Sequence, residues 1–252
     1  MGRPIKHILV SQPEPVDLKK SPFRKIVENY KVNVSFRKFI KIEGVSASIF
    51  RKDKVYLTDY TAVIFTSRNA IDHFFRIAKE MRIEIPQSMK YFCISESTAF
   101  YLQKYIQYRK RKTFFGNQNF EELMELIEKH GDEKFLLPCS NIHKLKIIDL
   151  LNEAEVDYTK AVIYETVGDN LSDVNLGDYD MIVFYSPGGV TSFMKNFPDF
   201  DQKDVLIAAF GPATIKSIEK SDLKVNIKAP TQTALSMTAA IEEYLKELKK
   251  KK

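Results

Sequence analysis

The chain has 252 residues and a formal net charge of +6, with 44% hydrophobic and 29% charged residues. This composition is typical of a globular protein and excludes general disorder, and no apolar run approaches the ~18–20 residues that span a bilayer. The N-terminus leads into a strand-like segment without a signal-peptide core, so we expect a soluble, cytoplasmic protein with no membrane partner.

Short β-branched or aromatic runs alternate with amphipathic helical stretches, which predicts α/β units with parallel sheets. In chain order, the predicted strands are 8–10, 62–65, 91–94, 135–137, 181–185 and 205–210. The predicted helices are 23–30, 69–81, 97–105, 120–130, 143–151, 190–196, 213–220 and 234–246. Residues 31–42 and 158–167 are predicted to be extended connections.

An internal repeat indicates how these elements are organised. Residues 63–71 resemble 182–190, residues 92–99 resemble 208–215, and residues 116–120 resemble 230–234. The members of the last pair are expected to open helices at Phe120 and Ala234. Three matched strand–turn–helix units in one order predict two lobes of the same fold.

The simplest topology inserts one lobe into the other. Residues 1–35 and 172–252 form a discontinuous first α/β lobe, residues 44–160 form the inserted second lobe, and residues 36–43 and 161–171 are antiparallel connector strands. We therefore predict an α/β protein of two similar parallel-sheet lobes with a two-stranded extended connector and an active-site cleft between the lobes. One continuous sheet is the alternative.

Polar residues recur where predicted strands feed into helices. In open parallel sheets, ligands bind at the carboxyl ends of the strands, and helix N-termini attract carboxylates or phosphates. Ser, Thr and Asn are also the ordinary N-caps of helices, so each of these residues alone has a structural explanation. Their paired recurrence favours a site for a ligand with several separated anionic groups. The residues concerned are Thr66, Ser67, Asn69, Ser95, Ser97, Thr98, Ser186, Thr214, Thr231 and Thr233.

The sequence does not contain the motifs that several kinds of binding and catalytic site require. The glycine-rich loops for dinucleotides and nucleotides are missing, as is the nucleophile elbow of serine hydrolases. Cys93 and Cys139 lie in apolar runs and are expected to be buried thiols. The histidines His7, His73, His130 and His143 have no ligand spacing, so we expect no metal site.

Two basic clusters account for much of the positive charge. One is Arg109 to Lys112, and the other is the tail from Lys246 to Lys252, which we interpret as a solvated helix end. Nucleic-acid binding through these clusters is one hypothesis, but stacking aromatics and a recognition helix are lacking. A polyanionic small molecule fits the charge equally well, so we predict no nucleic-acid partner.

The motifs, taken in order, resemble those of uroporphyrinogen-III synthases. The segments 64–70 (IFTSRNA), 161–166 (AVIYET), 184–190 (FYSPGGV), 210–214 (FGPAT) and 229–235 (APTQTAL) match that family's pattern over nearly the whole chain. This resemblance implies a cofactor-free lyase that acts on hydroxymethylbilane, a linear tetrapyrrole with eight carboxylates. Loss of water, closure through a spiro intermediate and inversion of the terminal ring would give uroporphyrinogen III, in heme biosynthesis.

The resemblance also implies roles for particular residues. Tyr164 matches the tyrosine proposed to assist departure of the hydroxyl, because a phenol is protonated at neutral pH and can donate to a leaving oxygen. The substrate-binding residues it implies are Thr66, Ser67, Asn69, Thr98, Ser186, Gly188, Thr214 and Thr231. Tyr164 has an alternative interpretation as an aromatic packed on a lobe. We expect the protein to act as a monomer.

The chain departs from the family pattern at three places. Gln12 follows the first strand, where the family often has arginine, Ser95 precedes a helix where glycine is usual, and Cys139 lies where arginine and glycine are common. The alternative function is a non-catalytic two-lobed binder of an anionic metabolite or linear tetrapyrrole.

Overall fold

The computed structural model describes residues 4–117, 119–142 and 145–250 of the chain. Gln118, His143 and the last two lysines of the basic tail lie outside these ranges. The chain divides into two compact units, which we call lobe 1 (Met1–Lys41 and Val167–Lys252) and lobe 2 (Ile42–Thr166). Both points of division fall inside the ranges expected for the connectors. The residue ranges predicted for the lobes and connectors, and the predicted active-site cleft, stay predictions.

Strands and helices alternate along the chain, as the hydrophobic pattern predicts. The strands are β1 (His7–Val10), β2 (Asn33–Phe36), β3 (Ile40–Gly44), β4 (Ala62–Phe65), β5 (Lys90–Cys93), β6 (Thr113–Phe115), β7 (Phe135–Ser140), β8 (Tyr158–Gly168), β9 (Met181–Phe184), β10 (Leu206–Phe210) and β11 (Ile227–Ala229). The helices are α1 (Arg24–Tyr30), α2 (Ala47–Phe50), α3 (Arg68–Glu80), α4 (Glu96–Tyr101), α5 (Phe120–Glu128), α6 (Leu145–Glu153), α7 (Pro187–Asn196), α8 (Pro212–Glu219) and α9 (Met237–Lys250). Short 3-10 turns such as Leu102–Lys104 extend or link them.

Each lobe contains one sheet. The five-stranded sheet has the order β11-β10-β9-β1-β2, and its strands pair in parallel. The six-stranded sheet has the order β3-β8-β7-β4-β5-β6, with parallel pairing from β8 to β6. At its edge, Val45 N–H donates to Ile163 O at 3.1 Å. The predicted fold class of two parallel-sheet α/β lobes is confirmed.

Burial on both faces of each sheet explains why the central strands are continuous apolar runs. In β4, Val63 and Phe65 pack into one hydrophobic cluster, while Ala62 and Ile64 pack into another. The central strand β9 of lobe 1 alternates in the same way between two clusters. The core therefore lies on both sides of each sheet, and the carboxyl ends of the strands remain available for a site.

The repeated serines are helix N-caps. The hydroxyl groups of Ser67, Ser95 and Ser186 accept hydrogen bonds from the backbone N–H groups three residues later, at the starts of α3, α4 and α7. These bonds satisfy donors that have no partner inside the helix. The helix α8 begins differently, after Gly211 with a φ of +86°, a conformation that favours glycine. The repeated pair at Ser67 and Ser186 thus joins strand to helix in the same way, whereas the pair at Ser95 and Gly211 does not.

The predicted start of the last helix at Ala234 is wrong, since α9 begins at Met237. Thr231 forms a separate turn, in which its hydroxyl accepts the Ala234 N–H at 3.0 Å and its own N–H donates to Ala234 O at 2.9 Å. Ser236 then begins the helix by accepting the Ala239 N–H at 3.1 Å. The far end of α9 is not wholly solvated, because the Lys249 Nζ donates to Asn29 O at 3.2 Å.

Candidate active site

Ser67 joins the start of α3 to the hydroxyl group of Tyr164. Its Oγ accepts the Ala70 N–H at 3.1 Å and lies 3.3 Å from the Tyr164 Oη, a distance at which either hydroxyl can donate. A 13-residue helix carries partial positive charge at its N-terminus, and Ser67 stands at that end. The phenol oxygen of Tyr164 therefore lies close to a positive helix end.

The ring of Tyr164 is fixed as well as its hydroxyl. Tyr164 lies in β8 with 8% of its surface exposed. Its ring stacks on the imidazole of His73 with centroids 5.1 Å apart and planes 18° from parallel. Ring and hydroxyl contacts both come from α3 and its cap, so this helix determines where the tyrosine points.

The hydrogen bond from Arg76 determines the form of the His73 ring. The Arg76 Nε donates to the His73 Nδ1 at 3.1 Å, so Nδ1 acts as acceptor and the neutral ring carries its proton on Nε2. Burial, and then the Arg76 charge, lower the pKa of His73. Asp72 and Glu80 oppose this shift without reversing its direction. Tyr164 therefore stacks on a neutral imidazole at neutral pH.

Arg76 itself is held against the backbone just after β3 and in the middle of β8. Its Nη2 donates to Val45 O at 2.7 Å and to Ile163 O at 3.1 Å, and its Nη1 pairs with Glu80. Gly44 makes this position possible, because a Cβ there would lie 2.6–2.7 Å from the guanidinium atoms. The carbonyl that Arg76 binds at Ile163 directly precedes Tyr164, so this clamp also fixes the tyrosine's backbone.

The low pKa of His73 predicts a pH-dependent loss of stability. Its folded-state pKa lies below the unfolded value near 6.5, so its contribution is present above about pH 6.5 and is lost as pH falls towards the folded-state pKa. Urea unfolding should therefore show that the free energy of unfolding falls less between pH 7.5 and 5.5 for His73→Asn than for the natural chain. The difference should stay under about 1.4 kcal/mol per pH unit, the limit for one proton. Equal slopes in His73→Asn and in the natural chain would contradict the prediction.

Tyr164 and Ser67 line a cavity of about 220 Å³ in lobe 2. The cavity lies where β4, β5 and β7 end and beside the middle of β8, and the carboxyl ends of parallel strands are the expected edge for a ligand. Its lining residues are Thr66, Ser67, Ile94, Leu137, Cys139, Ser140, Ile142, Ile147, Ile148 and Tyr164. The thiol is not a nucleophile here, since burial raises the pKa of Cys139 to about 11. The cavity combines hydroxyl groups with an apolar wall that the motifs did not reveal.

Two other residues predicted in lobe 2 do not line this cavity. Asn69 is exposed in the first turn of α3. Thr98 is 5% exposed, and its Oγ1 lies 3.0 Å from the Ser95 Oγ. The structure thus brings together Thr66, Ser67 and Tyr164, while Thr98 contributes to packing and capping at the start of α4.

The residues predicted in lobe 1 occupy different environments. Ser186 caps α7 by accepting the Gly189 N–H at 3.1 Å, and Gly188 lies in the first turn of that helix. Thr214 is 2% exposed within α8. Thr231 is exposed in the turn after β11. Their roles in substrate binding stay predictions.

Lobe 1 has its own cavity, of about 360 Å³, at the carboxyl ends of its strands. It is lined by Gln12, Pro13, Pro15, Ser21, Pro22, Phe23, Phe36, Tyr185, Phe210, Leu235, Ser236, Met237 and Thr238. Burial raises the pKa of Tyr185 to about 12, so its hydroxyl remains a donor. Tyr185 and Phe210 were not among the predicted site residues, although an aromatic residue at the end of a parallel strand is a signal that could have identified them.

Metal-binding clusters and membrane-spanning helices are both absent from residues 4–117, 119–142 and 145–250. No group of three or more His, Cys, Asp or Glu side chains within these ranges is arranged to hold a metal ion. No helix there combines the length and apolar character needed to cross a membrane. Cys93 and Cys139 are free and buried, as predicted.

Comparison with known proteins identifies the family. A family model described as uroporphyrinogen-III synthase HemD matches residues 22–239. The chain belongs to the uroporphyrinogen-III synthase family. The family resemblance, and with it the predicted function as a uroporphyrinogen-III synthase of porphyrin biosynthesis, is confirmed. A search of curated proteins found no significant match.

Solved structures show the same fold as this family member. The uroporphyrinogen-III synthetase of Helicobacter pylori is 17% identical, with a TM-score of 0.58 over 96% of this chain and 100% of that one. A mutant uroporphyrinogen III synthase of Thermus thermophilus is 12% identical, with a TM-score of 0.50 over 97% and 99%. At these sequence identities, the structural similarity establishes the fold. The roles of individual residues rest on the geometry of the site.

Proposed function

We propose that the chain is a lyase that closes hydroxymethylbilane to uroporphyrinogen III with loss of one water and inversion of the terminal pyrrole ring. The observation that supports this most strongly is the Tyr164 hydroxyl, which lies 3.3 Å from the Ser67 Oγ beside the N-terminus of α3, in the wall of a cavity. A proton donor is thereby placed next to a helix end that attracts anionic groups.

In the first step, Tyr164 donates its phenolic proton to the departing hydroxyl. The carbon–oxygen bond breaks with its electron pair on oxygen, so water leaves, and the pyrrole nitrogen lone pair stabilises the remaining cation. Ser67 can donate to the Tyr164 Oη while accepting the Ala70 N–H, which leaves the phenolic proton directed at substrate. The helix end stabilises the phenolate that forms. Ring closure and rearrangement release one proton, which returns to Tyr164.

The cavity in lobe 2 suits one pyrrole ring of the substrate. Its wall of Ile94, Leu137, Ile147 and Ile148 offers apolar surface to a pyrrole ring. Thr66 and the N-terminus of α3 offer donors to a carboxylate side chain. Holding the ring and the leaving group in one place lowers the entropic cost of closure, which is a large part of the work in a cyclisation.

The product isomer tests this proposal. The protein is coupled to hydroxymethylbilane synthase, and the uroporphyrins are separated by chromatography after oxidation. We expect isomer III, whereas spontaneous closure without ring inversion gives isomer I. Isomer I alone would overturn the proposal, and binding of the linear tetrapyrrole without turnover would favour a non-catalytic binder. The monomeric state, cytoplasmic location and absence of a nucleic-acid partner stay predictions of the sequence.

A further inference from the structure

A second cavity in lobe 2 lies at the opposite end of the strands from Tyr164. It measures about 180 Å³ and is lined by Ile85, Pro86, Gln87, Met89, Tyr91, Ile106, Gln107, Arg109, Lys112 and Thr113. Tyr91 and Thr113 are partners in register at the starts of β5 and β6. This cavity shares no lining residue with the one that contains Tyr164.

Two buried residues at this cavity carry hydroxyl groups, and among the described residues the hydroxyl of Thr113 has no hydrogen-bond partner. Thr113 is 5% exposed, and its Oγ1 is fully buried without such a partner. Tyr91 is 4% exposed and lines the same cavity. Burial, and then Cys93, raise the pKa of Tyr91 to about 12, so the phenol keeps its proton. The buried Thr113 hydroxyl without a partner is unfavourable, and a ligand that accepts from it would relieve that cost.

The charges around the cavity favour an anionic ligand. Arg109 is exposed and has no ion pair within the described ranges, whereas the Lys112 Nζ donates to Gln87 O at the rim. None of the ten lining residues is acidic. The remaining wall is apolar, from Ile85, Pro86, Met89 and Ile106. The lining thus offers a guanidinium, two hydroxyl donors and an apolar surface to one ligand.

We propose that this cavity binds a small organic carboxylate with a single-ring apolar body. The carboxylate accepts from Arg109 and from the hydroxyls of Tyr91 and Thr113, and the ring packs on the apolar wall. The volume fits this class, since an apolar cavity of about 150 Å³ is sufficient for benzene. Arg109 and Lys112, which the sequence offered as a nucleic-acid footprint, belong on this interpretation to a small-molecule site that is independent of ring closure.

Binding of benzoate to the full chain tests the proposal, with the neutral isostere benzamide as the comparison. Titrations followed by calorimetry or ligand-observed NMR at constant ionic strength should show saturable binding of benzoate and at least about tenfold weaker binding of benzamide. Arg109→Gln should weaken benzoate binding by about tenfold or more, the usual effect of losing a charged hydrogen bond. The matched control is Lys110→Gln, from the same basic cluster but outside the lining, which should stay within about twofold.

Thr113→Val separates the ligand role from a role in folding. This change replaces the unpartnered hydroxyl with a methyl of the same shape, so we expect a higher Tm together with weaker benzoate binding. Absence of saturable binding at about 10 mM benzoate, a level at which even millimolar sites fill, would overturn the proposal. Equal binding of benzoate and benzamide, or unchanged affinity in Arg109→Gln and Thr113→Val, would also overturn it. We expect these variants to form isomer III at the normal rate. The result of the benzoate experiment is therefore independent of the proposed cyclisation.

Discussion

Replacing Tyr164 with phenylalanine is expected to slow formation of uroporphyrinogen III by about 100-fold or more, the usual contribution of a positioned general acid. The phenylalanine ring keeps the stack on His73, so only the hydroxyl and its contact with Ser67 are lost. The effect should fall on kcat, since the phenol donates its proton as the carbon–oxygen bond breaks. Initial rates of isomer III formation, measured against substrate concentration in the coupled assay, would give the two constants separately.

Tyr158→Phe provides the matched control for this measurement. Tyr158 lies on the same strand, β8, but its hydroxyl donates to the Asn152 Oδ1 at 2.9 Å and does not line the cavity. We expect this variant to keep its rate within about twofold, because a surface hydrogen bond contributes little. Full activity in Tyr164→Phe, with the same product isomer, would remove the tyrosine's proton from the mechanism.

Gly44→Ala is expected to reduce the free energy of unfolding by about 1–3 kcal/mol, an overpacking effect of ordinary size. The new Cβ would lie 2.6–2.7 Å from the Arg76 guanidinium, which four partners hold in place: two carbonyl groups, His73 and Glu80. Arg76→Ala should cost about 2–4 kcal/mol, because it leaves those acceptors without their charged donor. Denaturant unfolding followed by circular dichroism measures both effects.

The double variant gives the sharper result. Once Arg76 is truncated, the space beside residue 44 is open, so Gly44→Ala should cost nothing and can stabilise by up to about 1 kcal/mol, since glycine weakens a strand. Gly131→Ala is the control, because its Cβ would meet no heavy atom closer than 3.4 Å, and a change within about 0.5 kcal/mol is expected. Simple additivity of Gly44→Ala and Arg76→Ala would show that the glycine is not required by the guanidinium.

The sequence predicted the architecture because strand burial and helix capping are local signals. A fully buried parallel strand must be a continuous apolar run, as in β4 and β9. Each serine cap directly precedes the first residue of its helix in the sequence. The late start of α9 was missed because Thr231 and Ser236 are both plausible caps, and tertiary contacts decide which one begins the helix.

The candidate site was only partly predictable for a different reason. Tyr164 and Ser67 were identified from separate motifs, but their contact joins residues 97 positions apart and exists only in the fold. His73 had no ligand spacing and was set aside, since stacking on a tyrosine from another element leaves no local pattern. Arg76 gave no signal either, because its partners are backbone carbonyls, which every residue possesses.

Lobe 2 is one unbroken stretch of chain whose two ends meet, as the hydrogen bond between Val45 and Ile163 shows. A segment with adjacent ends can be added to a loop of another domain with little cost in chain entropy. The two lobes also share the same strand–serine–helix unit at Ser67 and Ser186. This chain order is the one that duplication of an ancestral half, followed by insertion of one copy into the other, would produce.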